Sequence, residues 1–256
     1  MACHLHVALE YNDIVMYNFI NEFVKNNREG NKYMKIAVVN GSPRKDKNTA
    51  GLLKRAAEGV ESLGIETELV NLYDLDYKGC VSCFACKLKN GKSYGKCAYA
   101  DGLTPLLMAV QEADGLILGS PIYLKSVTGQ MRSFMERLIF PYHTYTEEIK
   151  SLFGRELPTA FIYTMNVTYE QMNEIGYMQV MKFNEEYFSR IFGSFEALFV
   201  NDTYQFDDYS KYVVTTFDEG KKARVREEQF PADCRKAFEL GARIANQAVK
   251  LHTTEI

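Results

Sequence analysis

Four of the six cysteines fall in one stretch, Cys80-x2-Cys83-x2-Cys86-x10-Cys97. Thiolates at such spacing can ligate a [4Fe–4S] cluster or a structural zinc ion. Six cysteines in 256 residues are too few to staple a scaffold with disulfides, so this stretch points to metal or redox chemistry in a reducing compartment. Lys87, Lys89, Lys92 and Lys96 make it locally basic. Such a run reads first as a solvated surface; lowering of the thiol pKa is the alternative.

A second group is Gly41-Ser42-Pro43-Arg44-Lys45-Asp46-Lys47-Asn48-Thr49. Ser42 and Thr49 can give hydroxyl donors, Asn48 an amide and Arg44 a charge. A helix that starts here adds unpaired N–H groups and the positive end of its dipole, which suit an anion. Asn48 or Thr49 reads equally well as a plain helix N-cap. The stretch is neither G-x-G-x-x-G nor G-x-x-x-x-G-K-[ST], which excludes the dinucleotide fingerprint and the nucleoside-triphosphate loop. A monophosphate is what remains, as in a bound mononucleotide. A third group, Gly119-Ser120-Pro121-Ile122-Tyr123-Leu124-Lys125-Ser126-Val127-Thr128-Gly129, sets an aromatic and apolar wall beside a turn.

The elements that must position these groups alternate. Ile36–Val39 is a short apolar run that reads as a strand buried on both faces. A helix over residues 48–63 follows, with Leu52, Leu53, Ala56, Ala57, Val60 and Leu63 on one face, and then an edge strand from Ile65 to Asn71. Helical spacing recurs through Leu103–Val110 and Met131–Ile139, a long helix is expected within 171–192, and a last one starts near Pro231. Strands are expected at Leu116–Leu118, Thr159–Tyr163 and Phe195–Val200, and irregular chain over 201–229. This is an α/β pattern: a five-stranded parallel sheet covered by helices on both faces. In such sheets ligands bind beyond the carboxyl ends of the strands, so the functional residues should follow Val39, Leu118 and Tyr163. Residues 1–33 carry a short helical pattern (Met16, Phe19, Ile20, Phe23, Val24) and a polar break, and read as an N-terminal helical extension to a domain over 34–256.

Gly-Ser-Pro-Arg…Asn-Thr after the first strand, with Gly-Ser-Pro-Ile-Tyr…Thr-Gly…Met-Arg-Ser-Phe after the third, resembles the NAD(P)H-dependent FMN reductase family of the flavodoxin-like superfamily over roughly residues 35–200. The resemblance implies sheet order 2-1-3-4-5. It implies that Ser42, Arg44, Asn48 and Thr49 hold the FMN phosphate, that Pro121, Ile122, Tyr123 and Leu124 run beside the isoalloxazine with Ser126 close by, and that Thr164 and Met165 form a third flavin-contacting loop. It implies NAD(P)H as electron donor, with the basic run a further candidate for attracting the phosphate of NADPH. The acceptor would be a small molecule (a flavin, quinone or nitroaromatic), and a homodimer or homotetramer would have a neighbour completing the pocket. The cysteine stretch resembles that of the iron–sulfur flavoproteins, a branch of the same superfamily with a shorter gap before the fourth cysteine, and so implies a [4Fe–4S] cluster on Cys80, Cys83, Cys86 and Cys97. An electron carrier between protein partners, or a non-catalytic FMN-binding module, are the alternatives to an oxidoreductase; no acid–base catalytic residue is expected.

A formal charge of −3 gives no global basic field for nucleic acid. No apolar run approaches the ~18–20 residues that span a bilayer, and the N-terminus lacks a signal-peptide pattern, so a cytoplasmic protein off the membrane is the expectation. Secondary candidates are Arg137, Tyr142, His143 and Tyr145 as lining of a substrate pocket or subunit contact, and Tyr204, Phe206, Tyr209 and Tyr212 as an aromatic lid or interface patch. Cys3 and Cys234 lack a nearby partner, and Cys234 fits a core position.

Overall fold

The computed structural model describes residues 34–147 and 151–254. The helical extension expected over 1–33, with Cys3, lies outside the described residues. Strand β1 (Lys35–Asn40) is buried at every position, as its unbroken apolar run requires when helices cover both faces. Around it the parallel strands β2 (Glu66–Asn71), β3 (Gly115–Tyr123), β5 (Thr159–Thr164) and β6 (Glu196–Val200) take the order β2-β1-β3-β5-β6. Counting the parallel strands alone, this is the expected 2-1-3-4-5. A two-residue strand β4 (Ser126–Val127) is an addition, pairing antiparallel with the far end of β3.

Alternate residues of β1 feed two cores. Ala37 and Val39 face one with α2 (Thr104–Glu112), α3 (Gly129–Ile139) and α5 (Tyr177–Phe192). Ile36 and Val38 face the other with α1 (Asn48–Glu61) and α7 (Phe230–Thr254), to which the partly buried Cys234 also belongs. Helices α1 and α7 cross with their backbones touching. A Cβ on Gly59 would lie 2.0 Å from the Phe238 carbonyl oxygen, and one on Gly241 would lie 1.9 Å from that of Ala56. Only two glycines permit that approach.

The long helix expected within 171–192 is α5, preceded by a short α4 (Tyr169–Glu174) and parted from it where Gly176 takes φ +80°. Two expectations need correction. The stretch 201–229 is not all irregular: Glu219–Glu228 forms α6, which lacks an apolar face for the pattern to reveal because its sequence is mostly charged. Leu63 lies past the end of α1 and is exposed. No helix among the described residues is long and apolar enough to cross a membrane.

Candidate functional site

The chain passes from β1 to β2 on one side and, by way of α2, to β3 on the other, so the winding direction switches between β1 and β3. The loops after these two strands flank the crevice that forms there. Hydrogen bonds tie them together. Gly41 N–H donates to the Gly119 carbonyl at 2.7 Å, and Thr128 Oγ donates to the Gly41 carbonyl at 2.7 Å while accepting from Met131 N–H as the N-cap of α3. The third loop joins through Thr49 and Thr164, whose hydroxyls lie 2.7 Å apart.

Within the first loop Asn40, fully buried, sets the turn. Its amide donates to Asn71 Oδ1 and its Oδ1 accepts from Ser42 N–H at 3.0 Å. Ser42 Oγ then accepts from Arg44 N–H at 3.1 Å. The N-cap of α1 is Lys47, and no side chain caps the helix. Neither Asn48 nor Thr49 is therefore the cap: Asn48 Nδ2 donates to the Tyr204 carbonyl at 2.8 Å, and Thr49 reaches Thr164. The first-turn N–H groups keep the capacity to bind an anion.

Past Ser120 the second loop rises as a hairpin. Leu124 and Lys125 both take positive φ, +49° and +69°, a two-residue turn of the kind that matches strand twist but strains non-glycine residues. Pro121, Ile122 and Ser126 are half-buried, Tyr123 is 45% exposed and Leu124 99% exposed. Thr164 and Met165 are buried in the third loop. The Met165 side chain belongs to the core, and its carbonyl accepts from Thr203 N–H and Oγ1. Beside it the Asn166 amide donates to Gln205 Oε1 at 3.1 Å, while its Oδ1 is buried without a partner among the described residues.

The cysteine stretch is a loop between β2 and α2 laid against the end of α3. Ser82 and Phe84 adopt positive φ, which curls the chain between successive cysteines. All four cysteines are among the residues lining one cavity of about 20 Å³, with Phe84, Tyr99, Arg137 and Phe140. That is room for one water molecule. Among the described residues no three or more His, Cys, Asp or Glu side chains are grouped to hold a metal ion. The donor chemistry of four cysteines suits a cluster, although their side chains are not drawn together here.

Arg137 lines this cavity and, with Tyr142, a further one of about 270 Å³. It is 2% exposed and spends its donors on this loop: Nη1 to Asp101 at 2.6 Å and to the Lys78 carbonyl, Nη2 to the Tyr99 carbonyl, and Nε to Cys97 Sγ at 3.4 Å. Burial works against its charge, yet the bonds it donates to Asp101 and Cys97 outweigh that and raise the guanidinium pKa. Lys87 also departs from the solvated reading. Its ammonium donates to the carbonyls of Phe140, Pro141 and His143 at the end of α3, and burial lowers its pKa. Burial likewise raises the pKa of the Cys86 thiol.

Next to this loop lies a cavity of about 670 Å³ whose walls include Phe84, Met135, Phe140, His143, Tyr145 and Tyr187. His143 and Tyr145 thus reach this pocket, while Tyr142, largely buried, reaches the other one with Arg137. His143 has a pKa lowered by burial and then by Lys87 and Arg190, and its Nδ1 is buried without a partner among the described residues.

The profile described as NADPH-dependent FMN reductase matches residues 34–168, just over half of the chain. The chain belongs to the NADPH-dependent FMN reductase family. It is 38% identical over 104 residues to an iron–sulfur flavoprotein of Methanocaldococcus jannaschii, covering 41% of this chain and 51% of that protein. It is 40% identical over 104 residues to one of Archaeoglobus fulgidus, covering 41% and 48%. The chain thus spans about half the length of the curated relatives it matches. Solved structures of like fold include an NAD(P)H:quinone oxidoreductase from Methanothermobacter marburgensis (TM-score 0.59, 13% identity, 82% of this chain and 98% of that one). Another is an FMN-dependent NADH-azoreductase from Bacillus anthracis in complex with FMN (TM-score 0.54, 14% identity, 82% and 99%). The fold is flavodoxin-like.

Asn40 and Thr128, which hold the loops in place, were not singled out as site residues by the sequence. Thr128 carried a readable signal, a Thr-Gly pair directly before a helical apolar pattern, which marks an N-cap. Tyr204 stood out only as part of an aromatic patch, and Gln205 and Arg226 had no signal, because their contacts to the first loop are remote in sequence.

Proposed function

We propose that this protein is an FMN-dependent oxidoreductase that passes electrons from NAD(P)H to a small aromatic or quinonoid acceptor. One observation carries the reading: three loops at one sheet edge are bonded to each other around a hydroxyl- and amide-rich turn whose helix has no side-chain cap. Bound FMN would supply two-electron chemistry, taking hydride at N5.

The residues have distinct tasks. Ser42, Arg44, Asn48 and Thr49, with the first turn of α1, would hold the phosphate. Pro121, Ile122, Tyr123 and Leu124, with Ser126, would wall the ring, and backbone N–H groups there would stabilise charge at its pyrimidine edge. The loop of Thr164 and Met165 serves by position, since both side chains are already engaged or buried, and Asn166 Oδ1 remains the unmatched acceptor at that edge. Catalysis then rests on stacking and proximity. The bare hairpin at Tyr123 and Leu124 suits cover by a second copy of the chain in a homodimer. The cavity beside His143 and Tyr145 has the size and aromatic lining that a small acceptor needs. Because the family match opens at residue 34, we read 34–256 as the FMN-binding domain and 1–33 as an extension.

Titration of FMN fluorescence with purified protein, followed by anaerobic NAD(P)H oxidation, tests the reading. Saturable quenching and turnover are expected; FMN left unquenched at micromolar protein overturns it. The iron–sulfur flavoprotein relatives, with four cysteines lining one small cavity here, favour a second reading, an electron carrier with an iron–sulfur cluster on Cys80, Cys83, Cys86 and Cys97. Stoichiometric iron and acid-labile sulfide in anaerobically purified protein, without NAD(P)H turnover, would select it.

A further inference from the structure

The segment after β6 returns to the first loop as a strap. Arg44 Nη1 donates to the Gln205 carbonyl at 2.7 Å, Lys47 pairs with Asp207 at 2.7 Å, and Asn48 Nδ2 donates to the Tyr204 carbonyl at 2.8 Å. Helix α6 ends the strap. It is pinned by Lys222, nearly fully buried, which donates to Asp202 and to the Asn166 carbonyl. From the last turn of α6, Arg226 lies 3.9 Å over the Phe230 ring and donates from Nη1 to Asn48 Oδ1 at 2.9 Å.

These contacts act on Asn48 in a specific way. A carboxamide has an acceptor end and a donor end of nearly equal shape, and it can turn over. A guanidinium only donates, so Arg226 demands the oxygen. A carbonyl only accepts, so Tyr204 demands the nitrogen. Together they leave one orientation, in which one N–H of Asn48 goes to Tyr204 and the second stays free. Turned over, the amide would present lone pairs where a phosphate needs a donor.

Resting on the flavin reading above, we propose that Arg226 is a positioning residue for the cofactor phosphate: it acts through Asn48, fixing the amide so that its nitrogen faces the anion. It also brings a positive charge to the phosphate loop from 178 residues along the chain. Arg226 is exposed, so its effect is modest and screened by salt.

The test compares FMN with riboflavin, which shares the ring and lacks the phosphate. Flavin fluorescence titrations are run on wild type, Arg226→Ala, Arg226→Lys, Asn48→Ala and the Arg226→Ala/Asn48→Ala double variant, with circular dichroism to confirm folding. Arg226→Ala should weaken FMN about tenfold, the scale of one charge-assisted contact, and change riboflavin by less than about twofold. Arg226→Lys, still a pure donor, should recover part of the loss. In the Asn48→Ala background the Arg226→Ala cost should shrink to about threefold or less. Unchanged FMN binding refutes the inference, as does equal weakening of both flavins, which marks a merely structural role. A full tenfold cost persisting without Asn48 also refutes it, since the charge then acts alone. A wild type that binds no FMN refutes the parent reading, and this one with it.

Discussion

Replacing Thr128 by valine keeps the shape of the side chain and deletes its hydroxyl. Thr128 is fully buried, so no water replaces what is lost. Two bonds go: the cap to Met131 N–H at 3.2 Å and the donation to the Gly41 carbonyl at 2.7 Å. Loss of an N-cap costs about 1 kcal/mol, and a buried carbonyl left unmatched costs about 1–3 kcal/mol. The sum is about 2–4 kcal/mol, with little packing change because valine fills the same volume. Urea denaturation followed by far-UV circular dichroism measures it, as a lower midpoint at unchanged slope. Because Gly41 opens the first loop, FMN binding should weaken as well. Thr128→Ser, which keeps the hydroxyl, should stay within about 1 kcal/mol of wild type. A valine variant that loses under about 1 kcal/mol, or a serine variant as damaged as the valine one, would show that the staple between the loops does not hold the site.

At Gly241, alanine improves helix propensity by about 1 kcal/mol but sets a Cβ 1.9 Å from the Ala56 carbonyl oxygen. Forcing two backbones apart outweighs that gain, and thermal denaturation should show a net loss of about 1–3 kcal/mol. Arg137→Met strands Asp101, which keeps bonds from Lys78 N–H and Leu103 N–H, so the cost should sit near the lower end of the range for broken buried pairs, about 3 kcal/mol. Faster hydrogen exchange confined to residues 78–101 should accompany it, and a global change with that loop still protected would contradict the assignment. His143 has a depressed pKa in the folded state, so the unfolded chain binds its proton first. Stability is then fully present above about pH 6.5 and falls as pH drops through that value toward the folded pKa. Denaturation midpoints between pH 5 and 8 should show this slope, and His143→Gln should flatten it.

Much of this was legible. The apolar run Ile36–Val39 and the glycine-bounded Leu116–Leu118 read correctly as doubly buried strands because a parallel sheet leaves neither face to water. The two Gly-Ser-Pro turns were found because they sit where strands end, and strand ends are where such sheets bind. What stayed hidden was long-range. Arg137 reads as lining for a substrate pocket or a subunit contact, yet it is also the anchor of a loop some forty residues earlier, a pairing no local pattern encodes. Lys87 reads as one of four surface lysines, but three backbone carbonyls at the end of α3 claim it. Helix α6 escaped notice because it is held by a buried lysine rather than by an apolar stripe.

The covering of α1 by α7 has a bearing on how the chain is made. Leu52, Leu53, Ala56 and Val60 share their core with Ala237, Leu240, Ile244 and Ala245 of α7. As the ribosome releases the polypeptide from its amino end, the sheet and α1 emerge with that greasy flank still waiting for α7. A premature stop anywhere before Ala237 would leave a sticky, half-clad sheet, so quality control should treat such truncations as waste and not as smaller working proteins.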